Sequence, residues 1–355
     1  MAFSRKILLG ALAMNETDMG ETLRTRIYSH NNDYRFNVSE VSRAPSGTKL
    51  PSLSVVIPYF QGKYLGRTLH GLYRAIKKVQ ATDIVWIFEI IVVDDGSAQR
   101  AEDVFGLLSF QNLTVIRFEK NSGRTAARNA GLNRARHDVV LFIDADILVN
   151  EDILLEHLRV HAFLQNASCI SIGFFSFITN EDPILQKERI TNEDIRKKLN
   201  DFRLSCTYQS HWAGCENDLR FSGKTFRIVT ETRDFRHWPK EGFLGPWILP
   251  NMVLGGFFMV RRVAALFVGG FDHSFQGYGF TETSLPTKLI AAFGHFVVPV
   301  VGSGCLHIED PNANASRRIK DEAFRKRHHY YFSHYLGLTL QQSIYGQSNA
   351  HDRIS

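Results

Sequence analysis

The spacing of apolar residues changes period several times along the chain. "LSVVIPYF", residues 53–60, is a continuous apolar, β-branched run closing around Pro58, the pattern of a strand buried on both faces. Residues 64–80, "YLGRTLHGLYRAIKKVQ", repeat Leu65, Leu69, Leu72 and Ile76 at helical spacing. "FEIIVVDDGS" reads as a second buried strand, residues 98–110 as a helix, "LTVIRF" as a third strand, "GRTAARNAGLNRAR" as a third helix and "VVLFIDADILV" as a fourth strand. Strand and helix therefore alternate from about 53 to 150. Continuous rather than alternating apolar strands predict an α/β fold, a mostly parallel central sheet with helices on both faces. Residues 15–50 are polar and turn-rich and read as an irregular lead-in. Residues 165–250 mix charge with aromatics and read as loops or a small hairpin, as in "RFSGKTFRIVTETRDFRHWPKEGF". Regular order resumes with "VLGGFFMVRR", a helix across 283–293 and the strand "HFVVPVV".

Composition fits this picture. A chain of 355 residues with 44% hydrophobic and 12% aromatic content can bury a large core. The net charge of +6 is partly local, because "RRIKDEAFRKR", 317–327, holds six basic and two acidic side chains. That stretch reads either as a solvated helix face or as a contact for anionic lipid headgroups or a phosphorylated ligand. No nucleic-acid motif accompanies it, so no nucleic-acid partner is expected. Cys169, Cys206, Cys215 and Cys305 form no CxxC pair, which fits a reduced, cytoplasmic setting. Cys206, His211 and Cys215 lie close together, but their spacing is not that of a zinc finger. No 18-residue apolar run is present, so no spanning helix is expected. The start, "MAFSRKILLGALAMNE", reads as a weak signal-like segment, a packing helix or an interfacial one. Peripheral membrane contact thus stands among the expectations.

Ligands of parallel α/β sheets bind beyond the carboxyl ends of the strands, and three polar clusters lie there: "PYFQG", "DDGS" and "DAD". Asp144 and Asp146 are two residues apart at a strand end, where an extended chain would point both carboxylates the same way. Two such acids repel unless a cation or proton separates them, and oxygen ligands suit Mg2+ or Mn2+. The competing reading is a turn with two solvated acids. Asp94 or Asp95 is placed to accept hydrogen bonds from a base or ribose, or to cap the next helix, Asp-Gly-Ser being well suited to an Asx turn. Gly123 permits close backbone approach, and Arg124 and Arg128 lie four apart on one helix face, suited to a diphosphate or to a neighbouring acid. No GxGxxG or P-loop is present.

"LSVVIPYFQGKYLGRTL", "EIIVVDDGS", "NSGRTAARNAGL" and "VVLFIDADILV" together resemble the nucleotide-sugar-binding half of family 2 glycosyltransferases of the GT-A fold. Downstream, "GGFFMVRR", "GGFDHSFQGYGFTETSLPTKLIAAFG" and "LHIED" are similar to the family's acceptor-side segment. The resemblance implies a nucleotide-sugar-binding subdomain at 51–150 and an acceptor-binding and catalytic subdomain at 151–310. These lie between the lead-in at 1–50 and a basic helical tail at 311–355. It implies that Pro58, Tyr59 and Phe60 border the nucleobase and that Asp95 contacts it, with Asp94 beside it. Asp144 and Asp146 would form the DxD motif, Asp146 being the more direct ligand of a Mn2+ or Mg2+ ion, with His307 completing the metal or diphosphate site.

Relatives carry Gly-Trp-Gly-Gly-Glu-Asp followed by an acid two places on, and their Glu-Asp pair supplies the catalytic base. This chain has Gly277, Tyr278, Gly279, Phe280, Thr281, Glu282 and then Ser284. Glu282 stands where the Asp would be and is expected to be the base; Thr281 replaces the Glu. The activity implied is inverting, metal-dependent transfer from a nucleotide-diphosphate sugar, a UDP-sugar first, to a saccharide acceptor. A peptide or protein side chain as acceptor and a nucleotide-sugar-binding protein without turnover are the alternatives. Trp212, Phe221, Trp238 and Trp247 are candidate stacking platforms for the acceptor. A nucleotidyltransferase would want a Gly- and Lys-rich loop after the first strand, and "PYFQGKYLG" lacks one.

Overall fold

Eight strands join in one sheet in the order β3-β2-β1-β4-β7-β6-β8-β5. They are β1 Leu53–Tyr59, β2 Phe88–Asp94, β3 Leu113–Arg117, β4 Val139–Ile143, β5 Ile147–Val149, β6 Cys169–Thr179, β7 Phe257–Arg261 and β8 Phe296–Glu309. The computed structural model describes residues 16–30, 32, 49–105, 110–164, 169–187, 189–198, 201, 249–309 and 317–345. All strands but β5 and β7 share one direction, so the mostly parallel sheet expected from the apolar runs is present. The carboxyl ends of β1 and β2 are level, Tyr59 lying opposite Asp94.

Both faces of the sheet are covered. Val56, Ile91, Val140, Phe142 and Phe258 point into one core cluster, and Val55, Ile57, Ile90, Leu141 and Met259 into another. This is why the strands read as unbroken apolar runs. The principal helices are α1 Leu23–Ser29, α2 Leu65–Thr82, α3 Arg124–Arg134, α4 Ile153–Phe163, α5 Ser284–Phe293, α6 Arg317–Ser333 and α7 Leu340–Tyr345. Side chains of α2 and α4 fill the second cluster, and those of α1, α3, α5, α6 and α7 the first. The helix expected at 64–80 is α2, and the one expected at 283–293 is α5. Of the helix expected at 98–110, Ala101–Phe105 is helical, and 106–109 lie outside the described residues.

Two segments differ from the sequence reading. "CISIGFFSFIT", placed among loops, is the 11-residue strand β6 between β7 and β8. Its small residues interrupt the apolar pattern, yet each is buried for a reason. Ser171 meets His157 Nδ1 at 2.8 Å and His161 Nε2 at 3.0 Å. Gly173 makes room for Phe257, whose Cδ1 would stand 2.9 Å from a Cβ there. Within the lead-in read as irregular, Glu16–Gly20 and Leu23–Ser29 are helical, and Leu23 and Ile27 are buried. The pattern is invisible locally because its partners are distant: Leu23 N donates to Leu338 O at 2.9 Å, and Leu340 N to Glu21 O at 3.0 Å. The two expected subdomains share the one sheet, since β4 pairs directly with β7. Among the described residues no helix is long and apolar enough to cross a membrane. Cys169 and Cys305 are buried, and burial pushes the Cys169 thiol up to about 12.

Helix α3 lies unusually close to β1, because a Cβ at Gly131 would sit 2.3 Å from Val56 Cγ1. Val56 is fully buried and stiff at χ1. Gly131→Ala should therefore lower the unfolding free energy by roughly 1–2 kcal/mol, overpacking exceeding the gain of about 1 kcal/mol in helix propensity. In a Val56→Ala background the same change should be neutral or stabilising, as read by chemical denaturation of the four variants.

Candidate active site

The carboxyl ends of β1, β2 and β4 gather the predicted acids, but each acid has a different fate. Asp94 is fully buried. It accepts from Ser97 N at 2.8 Å, Ala101 N at 3.1 Å and Arg117 Nη1 at 2.5 Å. It is the capping acid of the pair. Asp95 accepts from Ser122 N at 2.6 Å and Gly123 N at 2.9 Å, so it holds the loop entering α3. Those bonds use one lone pair on each oxygen of a carboxylate that offers about four. Gly123, at φ 94°, is the cap residue of α3. On β1, Tyr59 is buried and its hydroxyl reaches Gln99 O at 3.4 Å. Pro58 is half-buried, while Phe60 is 46% exposed at the strand end. Among these three residues, Phe60 presents an open ring.

Asp144 and Asp146 do not lie in an extended chain. The backbone turns between them, Ile147 N donating to Asp144 O at 3.3 Å, so that β5 leaves β4 and pairs with β8 at the far edge of the sheet. The turn sends the two carboxylates to different partners. Asp144 Oδ1 accepts from Arg128 Nη2 at 2.9 Å. Asp146 Oδ2 lies 3.3 Å from His307 Nε2. His307 is brought there by the β5–β8 pairing, opposite Ile147, and its ring lies against Phe177, with centroids 5.2 Å apart.

Arg128 is fully buried, not at the surface where a diphosphate would first meet it. Its Nη1 is 3.7 Å from Glu282 Oε2, and its guanidinium carbon stands 5.6 Å from the centre of the Phe271 ring. Burying a guanidinium is costly unless it is paired, and Asp144 and Glu282 supply that pairing from two sides. Gly255 makes the approach possible, for a Cβ there would lie 2.2 Å from Arg128 Nη2. Arg124, one helical turn earlier, is exposed. Its charge is favoured by Asp144 first and then by Glu282 and Asp146. The two arginines of one face thus divide: Arg128 inward as a tie, Arg124 outward over three acids.

Glu282 is mostly buried, and Thr281 Oγ1 donates to its Oε2 at 2.6 Å. Burial alone would raise its pKa, but Arg128 and then Thr281 outweigh that and hold it below the usual carboxylate range. Thr281, Phe271 and Gly255 were not singled out as site residues from sequence. The adjacent glycines of "LGGFF" were the available signal. Cys206, His211, Cys215, Trp212, Phe221, Trp238 and Trp247 lie outside the described residues.

At His307 burial works against protonation, but the hydrogen bond and charge of Asp146 outweigh it and raise the imidazole above its ordinary pKa. At Asp146 burial acts the other way, and the same contact holds the carboxylate low. The pair therefore stabilises the fold fully between about pH 4 and 6.5, the ordinary carboxylate and histidine values, and that part is lost as pH falls through the lowered carboxylate pKa or rises through the raised imidazole one. Asp146→Asn should lower the His307 midpoint in an NMR titration. An unmoved midpoint would disprove the coupling.

Residues 54–216 match the family described as "Glycosyl transferase family 2". The chain is 25% identical over 258 residues to an uncharacterized glycosyltransferase, YfnE, of Bacillus subtilis, covering 66% of this chain and 59% of that protein. It is 27% identical over 271 residues to validoxylamine A glucosyltransferase of Streptomyces hygroscopicus, covering 74% and 56%. The chain thus spans somewhat over half the length of these two relatives. A solved mannosyltransferase, PcManGT from Pyrobaculum calidifontis in complex with GDP-Man and Mn2+, is similar at TM-score 0.47 and 14% identity over 99% of this chain and 87% of that one.

Proposed function

We propose, from the match of residues 54–216 to glycosyl transferase family 2, that the chain moves a sugar from a nucleotide-diphosphate donor, a UDP-sugar, to a saccharide acceptor with inversion at the anomeric carbon. One observation supports this above all: the strand-tip acids and the distant Glu282 meet around Arg124 and Arg128. Phe60 and Asp95 border the base, the first through its open ring and the second through its remaining lone pairs. Arg124 faces the diphosphate.

The donor set also suits a divalent ion. Asp146 Oδ1 is a buried oxygen without a hydrogen-bond partner, and the imidazole of His307 stands beside the same carboxylate. Among the described residues no group of three His, Cys, Asp or Glu is gathered for a metal. Mg2+ is held through one or two carboxylates and completed by water and substrate phosphates. Asp146 and His307 would hold the ion, with Asp144 beside them. Bound there, it supplies positive charge against the departing diphosphate.

In the reaction an acceptor hydroxyl oxygen bonds to the anomeric carbon, and its proton passes to the Glu282 carboxylate. The bond from that carbon to the phosphate oxygen breaks on the opposite side, its electron pair leaving with the diphosphate. Arg128 and Thr281 keep Glu282 ionised and aimed, so it is ready to accept a proton. Arg128 acts through these carboxylates and is a positioning residue.

Glu282→Gln should reduce kcat by roughly 10²–10⁴-fold, the usual worth of a general base, while nucleotide-sugar binding stays near normal by thermal shift. Parallel loss of binding and turnover would instead make Glu282 structural. Asp146→Ala should abolish Mn2+-dependent sugar transfer in a donor-consumption assay, and full activity would end this mechanism. A wild-type chain that binds nucleotide sugars but turns none over would be a binding protein.

A further inference from the structure

Among the described residues, three of the four most exposed large apolar side chains stand in one turn. Ile84 is 90% exposed, Val85 78% and Ile87 58%. The turn joins the end of α2 to the start of β2, and its hydrogen bonds hold these residues outward. Asp83 Oδ1 accepts from Val85 N at 3.3 Å, and Asp83 O accepts from Trp86 N at 3.1 Å. Trp86 goes the other way. Its ring is buried beside Phe88, with centroids 5.8 Å apart, and its Nε1 donates to Pro51 O at 2.8 Å. Leu53 N donates to Ile87 O at 3.2 Å, which fixes the far end of the turn to β1. Aliphatic side chains clustered outward on a braced turn add nothing to the core, and an apolar cluster with a polar rim marks a contact surface.

That rim is basic. Arg74 and Lys77 are exposed on the last turns of α2, and Lys49 is exposed two residues before Pro51. The adjoining acid, Asp83, folds its carboxylate back onto Val85 N, while Lys78 is paired with Glu151 and Asp152. An apolar tip among cations suits an anionic lipid surface, where the aliphatic groups leave water and the cations meet headgroups. A stable protein partner would need more. Such an interface takes about 20–30 residues a side, and the exposed aliphatic cluster here has three.

We infer that this turn is a membrane-docking tip: Ile84 and Val85 enter the interface of an anionic phospholipid bilayer, Ile87 follows them, and Lys49, Arg74 and Lys77 meet its headgroups. The inference does not depend on the transferase reading, and it adds an orientation. The starts of β1 and β2 are level, Leu53 lying opposite Phe88. Each strand runs seven residues, roughly 20 Å, from the turn to the edge that carries the candidate site. A chain docked by the turn therefore holds that site away from the lipid.

The test is cosedimentation of the full chain with vesicles of phosphatidylcholine, alone or mixed with phosphatidylglycerol. The chain should bind the mixed vesicles more tightly than the neutral ones, and less tightly as salt rises. Ile84→Ser and Val85→Ser should each weaken partitioning roughly tenfold, the worth of burying one aliphatic side chain. Lys49→Glu with Lys77→Glu should remove the preference for anionic lipid. Val85→Trp should add a fluorescence that shifts to the blue on the mixed vesicles and is quenched by lipids brominated in their acyl chains. All the replaced side chains are exposed, and circular dichroism melting of each variant separates lost folding from lost binding. Four results would overturn the inference. The first is no sedimentation with either vesicle. The second is sedimentation unchanged by both serine variants. The third is sedimentation lost with Arg325→Glu and Lys326→Glu but not with the serine variants, which would move the contact to α6. The fourth is self-association without vesicles that Val85→Ser abolishes, which would make the turn a contact between copies of this chain.

Discussion

A fully buried arginine between two carboxylates is the constraint on which the site depends. Arg128 comes from the middle of α3, Asp144 from the tip of β4 and Glu282 from the loop before α5. A guanidinium taken out of water needs its partners, because removing one leaves an uncompensated charge and is strongly destabilising. The helix, the strand tip and the loop are therefore held in one arrangement by electrostatics as much as by packing. Gly255 and Phe271 give that charge its seat, the first by having no side chain and the second by offering a ring face.

Around this tie, residues of one chemical type take separate roles because the backbone aims them differently. Asp94 and Asp95 are neighbours, yet the first is consumed by the turn and Arg117 and the second by the entry to α3. Asp144 and Asp146 are nearly neighbours, yet the turn between them commits one to Arg128 and leaves the other with His307. Arg124 and Arg128 share a helix face in the sequence and are split between surface and interior by one turn of α3.

The support for Glu282 comes from the far end of the chain. Helix α6 holds the preceding loop through Phe324, Tyr331 and Arg327. The segment that follows α6 is itself anchored by α1 through backbone hydrogen bonds. A basic helix that looks like a solvated tail is thus packed behind the loop that carries Glu282.

Features set by local physics were legible before folding was considered. The unbroken apolar runs of β1, β2 and β4 required a sheet covered on both faces, and both core clusters are there. The 3.6-residue period of 64–80 required a helix, and α2 is there. Acids at strand ends could be named one by one, because a parallel sheet brings its carboxyl ends to one edge. Which acid faces which cation was set by folding. β6 was hidden because its serines and glycine are explained by His157, His161 and Phe257, partners that no window of sequence contains. His307 meets Asp146 only through the pairing of β5 with β8, and Arg128 meets Glu282 only through the closure of the whole fold. Periodicity reports which face of an element is buried. Which charged groups are buried together depends on contacts between residues far apart in the chain, and those exist only once it has folded.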